Sequence, residues 1–262
     1  AVIDHLGSPE AVLRLGQVFS LHGRDVQRRM SAVMARPGDE RLHEVFRHIL
    51  GTTRDGTVLK NALTFLGEKL HCRHCAPEVL SFLEHPYTDV KEAALEAAVV
   101  IGGPEVEARF LEMAHAPDPL ARFLAAAALG RLGGQGFYQE LLRLVQDPVE
   151  DVRRMALEAL VPVAQKDAAV RDALLPLLHD PSTPVRVALA EAGASLAEAD
   201  PAWEDHVASL LDDDDDWVRV RAMETLAKRR AFRFAPRLTA LVQSDHTLLA
   251  IKAVETLGHM GT

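Results

Sequence analysis

A repeat of 31 to 33 residues runs through this chain and restricts it to a stacked architecture. The clearest copies are residues 151–160 and 216–226, where Val-Arg is followed by Ala four positions and Leu eight positions after the Val. Aligning on that Val defines one anchor in each of eight repeats. The anchors are Val26, Val58, Val90, Ala121, Val152, Val185, Val218 and Leu249. A unit this short buries its apolar face only against its neighbours, so the repeats must stack.

Each repeat predicts two helices joined by a tight turn. Apolar residues at the anchor and at four and eight positions after it lie on one helical face, as in Val58, Ala62 and Leu66. We name this helix B. A shorter apolar-periodic helix, A, precedes the turn, as in 141–145 and 174–178. Four repeats carry Pro four positions before the anchor, which ends helix A. These are Pro86, Pro117, Pro148 and Pro181.

Polar and glycine positions predict the helix ends. Asp25, Asp89 and Asp151 directly precede their anchors, where a carboxylate is expected to cap helix B. Gly67, Gly130 and Gly258 follow the last apolar residue, near the expected end of helix B.

The chain resembles the HEAT-repeat family, in particular the short bacterial form known as phycobilisome-lyase-type HEAT-like repeats. The resemblance is carried by the Val-Arg-x-x-Ala-x-x-x-Leu stretches 152–160 and 218–226 and by the Leu-Gly pairs 129–130 and 257–258. It covers essentially all of the chain and implies an all-α, right-handed solenoid of about eight two-helix repeats, forming one domain over 1–262. It also implies that the B helices line a concave surface that binds another protein.

Charge and composition narrow the function classes. The formal net charge is −9, which disfavours nucleic acid and favours a basic partner segment. No apolar run reaches the roughly 18–20 residues that span a bilayer, and the first ten residues do not read as a signal peptide. Two Cys are too few for a disulfide framework, which predicts a reducing, cytoplasmic setting. Because residue 1 is Ala, the sequence is expected to be a fragment or a trimmed product.

A column of glutamates is the first candidate binding site. Five B helices carry Glu six positions after the anchor: Glu96, Glu158, Glu191, Glu224 and Glu255. The column predicts a partly acidic groove for a basic segment of a partner. The alternative is an ordinary solvated helix face, since Arg154, Arg221 and Lys252 stand close enough to pair with the glutamates.

A second candidate is the segment His71, Cys72, Arg73, His74 and Cys75. Thiolate and imidazole are the ligands that zinc prefers, and C-x-x-C also occurs as a redox pair. A structural zinc site needs a second ligand pair from elsewhere, and the chain has no other Cys. An ordinary loop with a half-buried Cys is therefore favoured, and no cofactor is expected.

Two charged clusters lie near the C-terminal end. Asp212 to Asp216 could hold Ca²⁺ or Mg²⁺, although their position in a turn also suits helix capping. Trp217 follows them as a candidate interface residue, with packing on the neighbouring repeat as the favoured alternative. Arg219 and Arg221 complete the candidate partner surface. The basic residues Lys228, Arg229, Arg230, Arg233 and Arg237 form a weak nucleic-acid signature.

No catalytic motif accompanies the repeat, so a non-catalytic protein-binding scaffold is the leading prediction. The family also includes two enzyme classes. Deoxyhypusine hydroxylases bind two irons through several His-Glu pairs, whereas this chain has only His43-Glu44. Bilin lyases are kept as an alternative, although no residue pattern in the sequence marks a bilin-binding site.

The final helix carries apolar residues that no later repeat would cover. Leu248, Ile251 and Val254 lie off its inward stripe. This predicts that the protein continues past Thr262 or that this end docks on another subunit.

Overall fold

A computed structural model describes residues 40–261, and this part of the chain contains fourteen α-helices and no strand. The helices are α1 (Glu40–Thr52), α2 (Gly56–Thr64), α3 (Ala76–Ser81), α4 (Thr88–Ile101), α5 (Pro104–Ala114), α6 (Pro119–Leu132), α7 (Gln135–Leu144), α8 (Glu150–Ala164), α9 (Ala168–Asp172), α10 (Thr183–Ala199), α11 (Trp203–Ser209), α12 (Asp216–Lys228), α13 (Ala235–Val242) and α14 (Thr247–Met260). The predicted all-α repeat fold is confirmed.

The anchors define the register of the structure. Every even-numbered helix is a B helix and begins two residues before its anchor. Six of the anchors are buried, and Ala121 is half-buried. Val26 and the rest of the first repeat lie outside the described residues.

The turns before the B helices differ from expectation in their caps. Asp89 and Asp151 lie inside the first turn of α4 and α8, where they complement the helix dipole without capping it. The capping aspartates stand three positions before the anchor: Asp55, Asp118 and Asp215 accept backbone N–H bonds from residues two or three positions later. The capping aspartate was therefore predicted one position before the anchor, whereas it stands three positions before it.

The A helices are less regular than predicted. The apolar run 174–178 was expected to form a helix, but it begins in a turn and continues as the 3₁₀ segment Leu175–His179, after the short α9. Pro176 has no N–H for an α-helical bond, which accounts for the tighter winding. Helix α2 continues as a π-helical turn, Phe65–Leu70.

The structure consists of two compact units, of which the first ends at Met113 and the second begins at Ala114. In the first unit, α2 packs against α4. In the second unit, α6, α8, α10, α12 and α14 form a layer in which each helix packs against the next, and the A helices pack on that layer. A single domain over 1–262 and a right-handed superhelix stay predictions.

Glycines inside two B helices allow neighbouring helices to approach closely. Gly130 and Gly258 lie two residues before the ends of α6 and α14, near the helix ends as predicted, and Gly67 lies within the π-helical continuation of α2. A Cβ on Gly130 would lie 2.5 Å from the Cβ of Ala159 on α8, and a Cβ on Gly67 would lie 2.5 Å from the Cα of Ala97 on α4. Glycine at these positions is therefore explained by helix packing.

Candidate functional site

Buried arginine–aspartate pairs tie successive repeats of the second unit together. The Arg that follows the anchor of one repeat binds an Asp in the turn of the next repeat with two hydrogen bonds. We name these pairs the arginine ladder: Arg122–Asp147, Arg153–Asp180 and Arg186–Asp213. The sequence analysis did not predict these pairs, and it considered Asp213 only as a turn residue or a possible cation ligand. The signal it missed is Asp five positions before an anchor together with Arg one position after the preceding anchor.

Each carboxylate of the arginine ladder has a full set of donors. In the first pair, Nε and Nη2 of Arg122 lie 2.7 and 2.9 Å from the Asp147 oxygens, and the Val149 N–H donates to the same carboxylate at 2.9 Å. The Asp147 side chain is only 2% exposed. Burial raises the pKa of Asp147, but the hydrogen bond from Arg122 and the backbone N–H of Val149 outweigh it and hold the pKa below its usual value. The pKa of Asp213 is lowered by the same balance, with Arg186 as the donor.

The arginine ladder ends at the last repeat because Ser244 stands where an Asp is needed. Ser244 reproduces the turn, since its hydroxyl accepts the N–H of His246 at 3.1 Å. It offers no carboxylate to Arg219, which instead donates to the Leu211 carbonyl at 3.2 Å and lies 3.5 Å from Asp216. Arg219, a candidate for partner binding, is thus occupied beside its own turn.

Replacing Ser244 with Asp should complete a fourth pair with Arg219. We expect the free energy of unfolding to rise by about 0.5–2 kcal/mol, measured by urea denaturation. Ser244→Asn is the matched control, because an amide can form the same turn but carries no charge for the guanidinium. Equal stabilisation by both variants would assign the gain to the turn and contradict the extension of the ladder.

The glutamate column lies on the solvated face of the B helices. Glu96, Glu158, Glu191 and Glu255 are exposed and Glu224 is half-buried. Three of the five pair along their own helix: Arg154 with Glu158 at 2.9 Å, Arg221 with Glu224 at 3.0 Å and Lys252 with Glu255 at 2.8 Å. Glu191 makes no ion pair with any other residue in 40–261, so its charge is the most available to a partner.

A groove on the B helices of the second unit brings part of this column together. It has a volume of about 500 Å³ and is lined by Glu191, Arg221, Thr225, Glu224, Ala227, Lys228, Arg230, Lys252, Glu255, Thr256 and His259. Three candidate glutamates and Arg221 thus share one cleft, whereas Glu158, Trp217 and Arg219 do not line it. Glu96 belongs to the first unit.

The groove carries charges of both signs. Its three glutamates face four cations from α12, the residues after it, and α14. The pKa of Lys252 is raised by its hydrogen bond to Glu255, and the charges of Glu255 and Glu224 act in the same direction. Lys228, Arg230 and His259 were not predicted as groove residues, because they fall at helix ends where the repeat pattern is weak.

The His71–Cys75 segment contains a disulfide and no metal site. Cys72 and Cys75 are both fully buried and bonded to each other, with their Cα atoms 5.4 Å apart. The expectation of a half-buried loop Cys was wrong, since the 3₁₀ turn Arg73–Cys75 brings the two side chains together. His71 and His74 are exposed. Within residues 40–261 no group of three His, Cys, Asp or Glu side chains could hold a metal ion. The bond also removes the argument that placed the chain in a reducing compartment.

The acidic run before Trp217 is used in several separate contacts. Asp213 pairs with Arg186, Asp215 caps α12, and Asp212 lies 2.7 Å from Arg237. The favoured interpretation of Trp217, packing on a neighbouring repeat, is wrong, because the residue is 65% exposed at the start of α12.

Three of the five residues of the predicted basic cluster, Arg229, Arg233 and Arg237, lie beside acids. Arg229 lies within 4 Å of Glu198 and Glu204, and Arg233 within 3.3 Å of Glu204 and Asp205. These three guanidinium groups already face carboxylates and therefore offer little to phosphate, which leaves Lys228 and Arg230 as the unpaired cations of the cluster.

Comparison with known proteins supports the repeat assignment. Residues 76–161 match the family model described as HEAT repeats. The register of two helices per repeat continues from this matched segment to α14. No curated protein sequence matches the chain.

Solved structures are similar to this repeat fold at low sequence identity, two of them with TM-scores of 0.59 and 0.58. A chain in the homology model of the full-length AP-3 complex in an intermediate open conformation is 15% identical with a TM-score of 0.59, over 79% of this chain and 42% of that chain. A chain in the structure of Kap95p with RanGDP is 14% identical with a TM-score of 0.58, over 84% and 36%. The CpcE–CpcF complex of phycocyanin lyase from Nostoc sp. PCC7120 is 19% identical with a TM-score of 0.45, over 82% and 86%. The chain thus spans about two fifths of the AP-3 chain that it matches.

None of the helices between residues 40 and 261 has the length and apolar character that crossing a membrane requires.

Proposed function

We propose that this chain is a non-catalytic binding scaffold whose second unit holds a polypeptide segment along its B helices. The observation that carries the proposal is the groove lined by Glu191, Glu224 and Glu255, which repeats one residue type on three consecutive B helices. A partner with side chains at matching intervals would meet an equivalent carboxylate at each repeat. The Kap95p and AP-3 structures, whose names describe a binding partner and a complex, support this use of the fold.

The charges of the groove define the chemistry of the partner. Glu191 has no ion pair among residues 40–261, so it favours a Lys or Arg on the bound segment. Lys228 and Arg230 are exposed, line the same groove and favour an acidic group. A segment carrying both signs would therefore be bound in one orientation, and its affinity should fall as salt rises.

Reversing the charge of Glu191 tests the groove with little risk to the fold, because no internal ion pair is lost. We expect Glu191→Lys to weaken partner binding about tenfold or more, which corresponds to about 1.4 kcal/mol. Wild-type and variant proteins would be used for affinity capture from the source organism, with the captured proteins quantified by mass spectrometry.

Glu92→Lys is the matched control, since Glu92 is exposed on a B helix but does not line the groove. Proteins that bind the groove should be lost with Glu191→Lys and retained with Glu92→Lys. If Glu191→Lys captured the same proteins in the same amounts as wild type, this groove would not be the binding site.

A further inference from the structure

The groove on the B helices carries more unpaired positive than negative charge. Two of its cations are neutralised within the protein, in the pairs Arg221–Glu224 and Lys252–Glu255. Lys228 and Arg230 make no ion pair with any residue in 40–261, and the carboxylate left unpaired is that of Glu191. Two free cations thus stand against one free carboxylate, in a chain whose formal net charge is −9.

Arg230 has a backbone conformation that favours glycine. Its φ is 49°, in the left-handed region. The Arg230 N–H donates to the Ala227 carbonyl at 2.9 Å and the Ala231 N–H to the Leu226 carbonyl at 3.0 Å, the pattern that closes a helix with a left-handed residue. Arg230 stands twelve positions after its anchor, where three other repeats have a glycine with positive φ: Gly102, Gly133 and Gly261. A glycine would therefore suit the end of α12 better than an arginine.

The side chain of Arg230 contributes no internal contact that would offset this cost. It is exposed, lines the groove and forms no hydrogen bond or ion pair with the described residues. Lys228 alone would carry no inference, since a cation in the last turn of a helix complements the helix dipole. Arg230 lies beyond that turn, so an external anion is the partner that its guanidinium lacks.

His259 adds a third donor from the last turn of α14. It is exposed and lines the same groove. Its exposure does not depend on where the sequence stops, because the equivalent residues of two earlier repeats, Arg131 and Lys228, are exposed as well. An imidazole has at least one N–H to donate in either protonation state.

We propose that Lys228 and Arg230, with His259 beside them, bind a carboxylate of an Asp or Glu side chain on the partner segment. This rests on the proposed function and adds the group that the groove recognises. A guanidinium can bind a carboxylate with two parallel hydrogen bonds, which explains an arginine at position 230. The balance of free charges fits a segment with more acidic than basic residues, in contrast to the basic segment expected from the net charge.

Titration calorimetry of the full chain with a synthetic oligoglutamate peptide tests this carboxylate site. At about 0.1 M salt the Debye length is about 10 Å, so distant charges of the chain are screened. Arg230→Gly should weaken oligoglutamate binding about fivefold or more, because a charge-assisted pair is lost. The same variant should raise the folding equilibrium constant about threefold, measured by urea denaturation, because glycine removes the cost of the left-handed conformation.

Two control variants separate the charge from the backbone. Arg230→Lys keeps a cation on a left-handed residue, so it should retain most of the affinity and the wild-type stability. His71→Gly is the matched control in the first unit, since His71 also has a positive φ, of 47°, and does not line the groove. It should stabilise the fold in the same way and leave oligoglutamate binding unchanged.

Four results would each overturn the carboxylate site. They are a wild type that does not bind oligoglutamate, unchanged binding by Arg230→Gly, an Arg230→Gly protein no more stable than wild type, and an equal loss of binding with His71→Gly. The proposed function is tested separately by Glu191→Lys in the capture experiment. Proteins lost with Glu191→Lys, together with unchanged oligoglutamate binding by Arg230→Gly, would leave the groove as the binding site and remove only the carboxylate site.

Discussion

Replacing Asp147 with Ala should lower the free energy of unfolding by about 3–5 kcal/mol. The substitution leaves the Arg122 guanidinium, whose side chain is 12% exposed, without its carboxylate partner. It also removes the acceptor of the Val149 N–H in the turn before α8. Urea denaturation followed by circular dichroism measures the loss. Asp214→Ala, at an exposed aspartate outside the arginine ladder, should change stability by less than about 0.5 kcal/mol.

The pH dependence of that difference supplies an independent check. Because the pKa of Asp147 is lowered in the folded state, its contribution is present above the unfolded pKa of about 3.9 and is lost as the pH falls through the folded pKa. The stability gap between wild type and Asp147→Ala should therefore narrow in acid. A gap that stayed constant from pH 7 to acid would show that the carboxylate charge is not what stabilises the pair.

The helical register was predictable from the sequence because it depends on residues within one helix. The anchors and the residues four and eight positions later lie on one face whatever their neighbours are. Every described B helix accordingly begins two residues before its anchor. The turn prolines, such as Pro148, were predictable for the same reason, since their effect on backbone geometry is local.

Contacts between repeats were less predictable because they join residues about 25 positions apart. Asp180 and Arg153 are separated by 27 residues, and nothing local to either shows that they meet. Only a comparison of all repeats in one register reveals that Asp, at five positions before an anchor, accompanies Arg after the previous anchor. The same comparison shows Ser244 as the place where the pairing stops.

The candidate site was predicted in part for a related reason. The glutamate column follows from the repeat register, and the structure places Glu191, Glu224 and Glu255 in one groove. Two of the cations that share the groove, Lys228 and Arg230, come from the end of α12 and from the segment after it. Arg230 there adopts a left-handed backbone conformation that the repeat pattern does not encode.

Replacing Gly130 with Ala should lower the free energy of unfolding by about 1–3 kcal/mol, although Ala is the better helix former. The new Cβ would lie 2.5 Å from the Cβ of Ala159, which is closer than two methyl groups can approach, so α6 and α8 must separate. Thermal and urea denaturation of the variant measure the cost. Gly258→Ala is the control at the equivalent position of α14, where no atom lies within 4 Å of the added Cβ; it should be neutral or stabilising by up to about 1 kcal/mol.

The clash between residues 130 and 159 also predicts a rescue, because Ala159→Gly removes the opposing methyl group. Gly130→Ala combined with Ala159→Gly should be less destabilised than the sum of the two single variants. Simple additivity in that cycle would show that Gly130 is not required by the approach of α8.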